Sequence, residues 1–314
     1  MSDGAFAPKP VRLISLPVAA ADGEALTHDG RYLLIAAGSG AVVVDVARAE
    51  EGKPHSVLGV LSAAVGADSA PAESAIEVVT SADDRFAFVA DEAAGKIAVF
   101  DLRAAIDDGL RNSGFVGMIG VGQLVVGMAV SPDGRWLYAT SELARGATLR
   151  TGHGTLSVID ARRATTSPSK AVVSTAPAGC GSVRVAVSPD GRTIWVTARE
   201  SNELLAFSAH RLVVDPRHAL LAAIRVGEAP VGLILIDRGR RVVVADSNRF
   251  NIAGASAGLS IIDARAALEG RPALLGVVDA GQFPRELSLE ANGTLLVTNF
   301  DSGQLEAIAT PDFP

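Results

Sequence analysis

The sequence predicts an all-β fold, a single six-bladed β-propeller of four-stranded blades, and three observations carry the prediction. First, a unit made of an apolar strand, a polar turn of the Ser-Pro-Asp-Gly-Arg kind and a second apolar strand recurs six times. Second, the turn positions Gly30, Asp84, Gly134, Gly191, Gly239 and Gly293 are spaced by 54, 50, 57, 48 and 54 residues, the period of a propeller blade rather than of a helical solenoid. Third, in the clearest units a further strand closes on Asp and runs into helix-favouring residues.

The first two strands of each unit read EALTHDGRYLLIAAG from Glu24, IEVVTSADDRFAFVADE from Ile76, VGMAVSPDGRWLYATSE from Val126, VRVAVSPDGRTIWVTARE from Val183, VGLILIDRGRRVVVADS from Val231 and RELSLEANGTLLVTNFD from Arg285. Asp-Gly and Asn-Gly accept the positive φ of a tight hairpin turn, and they sit between β-favouring runs. In the third strands Asp45, Asp101, Asp160 and Asp263 are placed to cap a single helical turn. A fourth, more variable strand follows, as in VLGVLS from Val57 or LLAAIRV from Leu220. The last unit ends at its third strand, while the chain begins with an unpaired segment of the fourth type, VRLISLP from Val11. This N-terminal strand is expected to complete the final blade and remove its exposed edge. Residues 1–10 read as a tail and 11–314 as one propeller domain; a seventh blade is the less favoured count, because no interval between turns is long enough to hide one.

Hydrophobic residues make up 48% of the 314 and charged residues 20%, ample for a packed core and wrong for a disordered chain. Twenty-eight Lys and Arg against 35 Asp and Glu give a net charge of −7 with no basic cluster, so nucleic acid is not an expected partner. The run from Leu13 to Ala21 follows Lys9 and Arg12 but is interrupted by Pro17, and reads as strand rather than as a secretory leader. No stretch approaches the ~20 apolar residues of a membrane-spanning helix. The single cysteine, Cys180, excludes an internal disulfide, fits a reducing compartment, and reads as a small buried hydrophobe; the expected location is cytoplasmic.

With its Val-Gly, Ser-Pro-Asp-Gly-Arg and Val-Ile-Asp phrases, the repeat resembles that of the YVTN-type, YncE-like propellers, the group that includes lactonase-like propellers. Asp246-Ser247-Asn248-Arg249-Phe250 is similar to a loop of that group between strands two and three. The resemblance implies a propeller fold and a family of lactonases, binding proteins and members of no known activity. Six-bladed gluconolactonase-like propellers hold a central divalent metal with a Glu and several Asn or Asp at the openings of inner strands. Only Glu24 matches here, the equivalent openings carrying Met128, Val185 and Leu233, so a metal of that kind is not expected.

Inner strands line a propeller's channel, and the loops leading into them, with those between strands two and three, crown one face. Aligned across the six units, the first channel position holds Gly23, Glu77, Gly127, Arg184, Gly232 and Glu286, with Glu24 and Arg285 beside them. Two carboxylates near a guanidinium suit a small polar ligand, Glu77 or Glu286 acting as general acid or base; an ion-pair plug that merely fills the channel is the competing reading. Two long crown insertions, from Glu142 to Gly154 and from Asn248 to Gly258, add His153 as a candidate base and Asn248 and Arg249 as candidate ligand contacts. No histidine pair has metal-ligand spacing, and neither a phosphate-binding loop nor a full Gly-x-Gly-x-x-Gly is present, so no nucleotide cofactor is expected. Gly254-x-Ser256-x-Gly258 matches a nucleophile elbow, which needs a strand before it and a helix after it, but here a strand follows and Ser256 reads as a flexible loop residue. The leading expectation is a small-molecule propeller that binds, and hydrolyses or isomerises, a polar or lactone-like metabolite at the channel mouth. The other is a scaffold whose crown loops bind a protein partner.

Overall fold

The computed structural model describes residues 13–18, 21–63, 74–147 and 152–314. Six antiparallel sheets succeed one another along the chain, each wound outward from an inner strand, and together they form the six-bladed propeller. The inner strands are Ala21–Leu26, Ala75–Thr80, Gln123–Val130, Ser182–Val187, Pro230–Ile236 and Pro284–Leu289. The second strands are Tyr32–Ala37, Phe86–Asp91, Trp136–Leu143, Thr193–Ala198, Arg241–Asp246 and Thr294–Asn299.

The repeated turn has a hydrogen-bond logic that explains its sequence. In blade three the Ser131 hydroxyl donates to Asp133 and accepts from the Trp136 amide, while Asp133 also accepts from the Arg135 amide. Gly134 supplies the left-handed residue at φ 69°. The same bonds recur at Ser81 with Asp83 and at Ser188 with Asp190. Asp45, Asp101, Asp160 and Asp263 each accept an amide of the short helix that follows, as expected of caps, and Ser208 does so in blade four.

Apolar clusters cement each blade to the next. Leu34, Val43, Val78 and Phe100 join blades one and two, and Trp195, Leu204, Val242 and Ile262 join blades four and five. Among the described residues no such cluster joins blade six to blade one. Blade six has three strands there, and the N-terminal segment expected to supply its fourth does not pair with it. Residues 13–18 form no strand; Leu16 and Val18 lie instead on the outward face of blade one beside Val42 and Val44. Val11, Arg12 and the expected tail of residues 1–10 fall outside the described residues. The physical reason is that blade one's face is the more apolar of the two, so it captures Leu16 and Val18 while Leu13 stays exposed. Blade six's corresponding face keeps Ser288, Thr298, Ala307 and Leu305 exposed, the last at 55%.

One threonine position registers this difference. The buried Thr140 and Thr197 hydroxyls donate to the Val183 and Val231 carbonyls of the next blade's inner strand, at 2.6 and 2.7 Å. Thr298, at the same place in blade six, is exposed. Thr197→Val is therefore expected to cost about 1–3 kcal/mol by stranding a buried carbonyl. Thr298→Val should stay within about 0.5 kcal/mol, both read by denaturant unfolding.

Candidate functional site

Every inner strand slips register against its second strand at the same level, in blade four between Ser182 and Val185 and in blade six between Pro284 and Leu287. Such a slip bends the strand and re-aims the side chains within it. Here it turns alternate blades' polar residues toward the axis. A Cβ on Gly23, Gly127 or Gly232 would press on the backbone of the next blade's inner strand, at Ile76, Val183 and Arg285 respectively. The glycines of blades one, three and five thus make room for the charged residues of blades two, four and six.

Arg184 is the hub. Its Nη2 lies 2.6 Å from Glu286 Oε1 and 3.5 Å from Glu77 Oε2, while Nη1 donates to the Val126 carbonyl at 2.5 Å. One guanidinium from blade four therefore joins blades two, three and six across the axis. Above it Val126, Val183 and Val231 form an apolar collar with Ile76 and Phe283 packed against it. Burial under that collar pushes the Glu77 carboxyl up to about 7, against the pull of the Arg184 charge and with the help of the Glu286 charge. Arg184 stays fully charged, its guanidinium held by both carboxylates. Glu286 is the opened end of the cluster, with half its side chain exposed.

The crown carries a second layer that sequence reasoning missed. Glu142 pairs with Arg199 at 2.8 Å, and Arg199 lies 6.0 Å over the Phe250 ring. Arg249 stands 5.8 Å from Phe250 and 5.5 Å from Phe283, Phe283 meets Phe300 edge-on at 5.4 Å, and Arg285 covers Phe300 at 5.5 Å before reaching Asp22 at 3.5 Å. The result is a continuous arc of arginines and phenylalanines around the mouth. Phe250 and Phe300 remain half exposed. Arg249 has no carboxylate partner among the described residues, and burial together with the neighbouring Arg199 and Arg285 charges pulls its guanidinium below the usual range. That is an anion-attracting position. The signal lay in the repeat, because Glu92, Glu142, Arg199 and Phe300 occupy one equivalent position at the end of their second strands.

The remaining sequence candidates separate. Glu77, Arg184, Glu286 and Arg285 come together as expected, and Arg249 faces the same mouth. Glu24 is exposed on the inner strand of blade one, outside the axial ion pairs. Asn248 accepts from the Ile252 amide and donates to the Ala255 carbonyl, so it folds its own loop. His153 is not in the axial cluster; its Nδ1 lies 3.5 Å from Cys180 Sγ. Ser256 precedes the strand Gly258–Asp263, with no helix after it. Among the described residues no three His, Cys, Asp or Glu side chains gather closely enough to hold a metal ion, and no helix is long and apolar enough to cross a membrane.

The family model described as Lactonase, 7-bladed beta-propeller matches residues 24–253. No curated protein matches the sequence. Among solved structures, hydrazine synthase of Kuenenia stuttgartiensis is similar at a TM-score of 0.61 and 15% identity, over 98% of this chain and 99% of that one. A candidate 6-phosphogluconolactonase from Bacteroides uniformis is similar at a TM-score of 0.63 and 16% identity, over 93% of this chain and 86% of that one. At these identities the two structures speak to the fold alone.

Proposed function

The chain belongs to the lactonase, 7-bladed β-propeller family, with six blades among its described residues, and we propose that it hydrolyses a lactone carrying an anionic substituent at the crown mouth. The observation that carries this reading is the Glu77 carboxyl, pushed up to about 7 beside a guanidinium that is itself fully charged. A carboxyl poised there is part ionised near neutrality and suits general base and general acid in turn. In the proposed reaction Glu77 takes a proton from a water whose oxygen attacks the lactone carbonyl carbon. The positive Arg184 stabilises the negative charge that develops on the carbonyl oxygen. The ring C–O bond then breaks, and the departing ring oxygen takes the proton back from Glu77. Arg249, with Arg199 and Arg285 flanking it, receives the substituent's charge, and Phe250 and Phe300 cover its apolar part.

Within the family we place the chain with the YVTN-type propellers, on its Ser-Pro-Asp-Gly-Arg turns and Val-Ile-Asp strand, and in the cytoplasm, on its single unpaired cysteine. The test is proton release from a neutral γ-lactone and from the same ring bearing a carboxylate or a phosphate. Turnover of the charged rings, with Arg249→Ala raising KM for them by about tenfold or more and leaving the neutral ring unchanged, is the expected result. No turnover of any ring would remove the hydrolytic reading. A second reading, a protein-binding crown, draws on the exposure of Phe250, Ile252 and Phe300 there, at 51, 47 and 60%. It predicts instead that Phe300→Ser leaves small-ligand binding intact.

A further inference from the structure

Outside the axial cluster, the molecule places its one thiol against one of its five imidazoles. Cys180 sits between Gly179 and Gly181, both left-handed at φ 76° and 63°, in the loop that leads into the inner strand of blade four. The two glycines turn the chain sharply about the cysteine, and the thiol is only part buried. His153 reaches it from the crown loop of blade three, with Nδ1 3.5 Å from Sγ, within hydrogen-bond reach of the thiol. The same loop is stitched to the next turn of the crown. The Arg199 amide donates to the Gly181 carbonyl, the Glu200 amide to the Cys180 carbonyl, and the Cys180 amide to the Ser201 hydroxyl. Arg199 in turn holds Glu142 and overlies Phe250 at the mouth. Whatever attaches to Cys180 thus bears on the loop that carries Arg199.

We propose that Cys180 and His153 form a thiol-exchange site on the crown rim, which takes a low-molecular-weight disulfide and transmits its occupancy to the mouth through the Arg199 loop. The imidazole accepts the thiol proton, and the thiolate attacks one sulfur of the disulfide. A bond forms between Cys180 Sγ and that sulfur, the original S–S bond breaks, and the second sulfur leaves as a thiolate that takes the proton from His153. Cys180 is oxidised and one half of the disulfide reduced, so the step balances without a further reagent. Because the chain has no second cysteine, no internal thiol reverses the adduct, and it persists until an external thiol arrives.

The probes are oxidised glutathione and iodoacetamide on the full chain at pH 7, followed by intact mass. The expected result is a single glutathionyl adduct, absent in Cys180→Ser, and an alkylation rate that His153→Gln lowers by about tenfold or more while leaving the thermal midpoint in place. Equal rates in wild type and His153→Gln, matching free glutathione under the same conditions, would overturn the pairing. Hydrogen exchange reads the coupling: the Arg199 and Glu200 amides should exchange faster in the adduct. Unchanged exchange there in fully modified protein would overturn the link to the mouth. Neither readout depends on lactone turnover.

Discussion

Glu77→Gln is expected to abolish most lactone turnover, by about 10²–10⁴-fold, and at the same time to stabilise the fold above neutral pH. The two effects have one origin. Burial under the valine collar raises the carboxyl from 4.5 to about 7, so between those values the folded protein holds a proton that the unfolded chain has released. Unfolding free energy therefore falls as pH rises through that window, and above it the wild type carries a penalty. With a fifth of the side chain still exposed, solvent screening trims the penalty to about 1–3 kcal/mol. Glutamine has no proton to lose, so its melting temperature should exceed the wild type's at pH 8 and approach it at pH 5. In the wild type kcat/KM should climb with pH through about 7 and level off, as for a base that must be ionised. A Gln variant that is stabilised yet fully active would reduce the cluster to a channel plug.

Arg184→Met should be the most damaging single change, costing about 3–5 kcal/mol of stability. The guanidinium is the common partner of Glu77 and Glu286 and the donor to the Val126 carbonyl, so its loss leaves two carboxylates facing each other and a carbonyl unpaired. Adding Glu77→Gln should recover part of the loss, because no pair of facing carboxylates then remains to repel; denaturant unfolding of the single and double variants measures the coupling. Arg184→Lys should recover little, since one ammonium does not span both carboxylates and the Val126 carbonyl at once.

The six blades were legible because a tight turn needs particular residues at particular offsets, and Ser131, Asp133 and Gly134 state that need in three consecutive units almost unchanged. The axial cluster was legible for a related reason, since Glu77, Arg184 and Glu286 occupy the one aligned position where glycine alternates with charge. What made them converge, the register slip in each inner strand, left no mark in the spacing. The arc from Arg199 to Arg285 was hidden because its members come from three different blades and meet only in space. His153 looked like a base for the mouth because its loop belongs to the crown; local geometry gives it to Cys180 instead. The N-terminal strand failed for a reason no periodicity encodes, the competition between two sheet faces for the same few leucines and valines.

Among the described residues no apolar cluster closes the joint between blades six and one, which gives the described ring the mechanics of a split washer. Five joints are glued by apolar contact, whereas among the described residues the sixth is spanned by the Arg285–Asp22 pair. Strain in such a body is expected to concentrate at the cut, leaving the blades themselves intact. Ionic clasps weaken as salt screens them while apolar glue does not, which makes the diameter of the aperture a property of the solution as well as of the sequence.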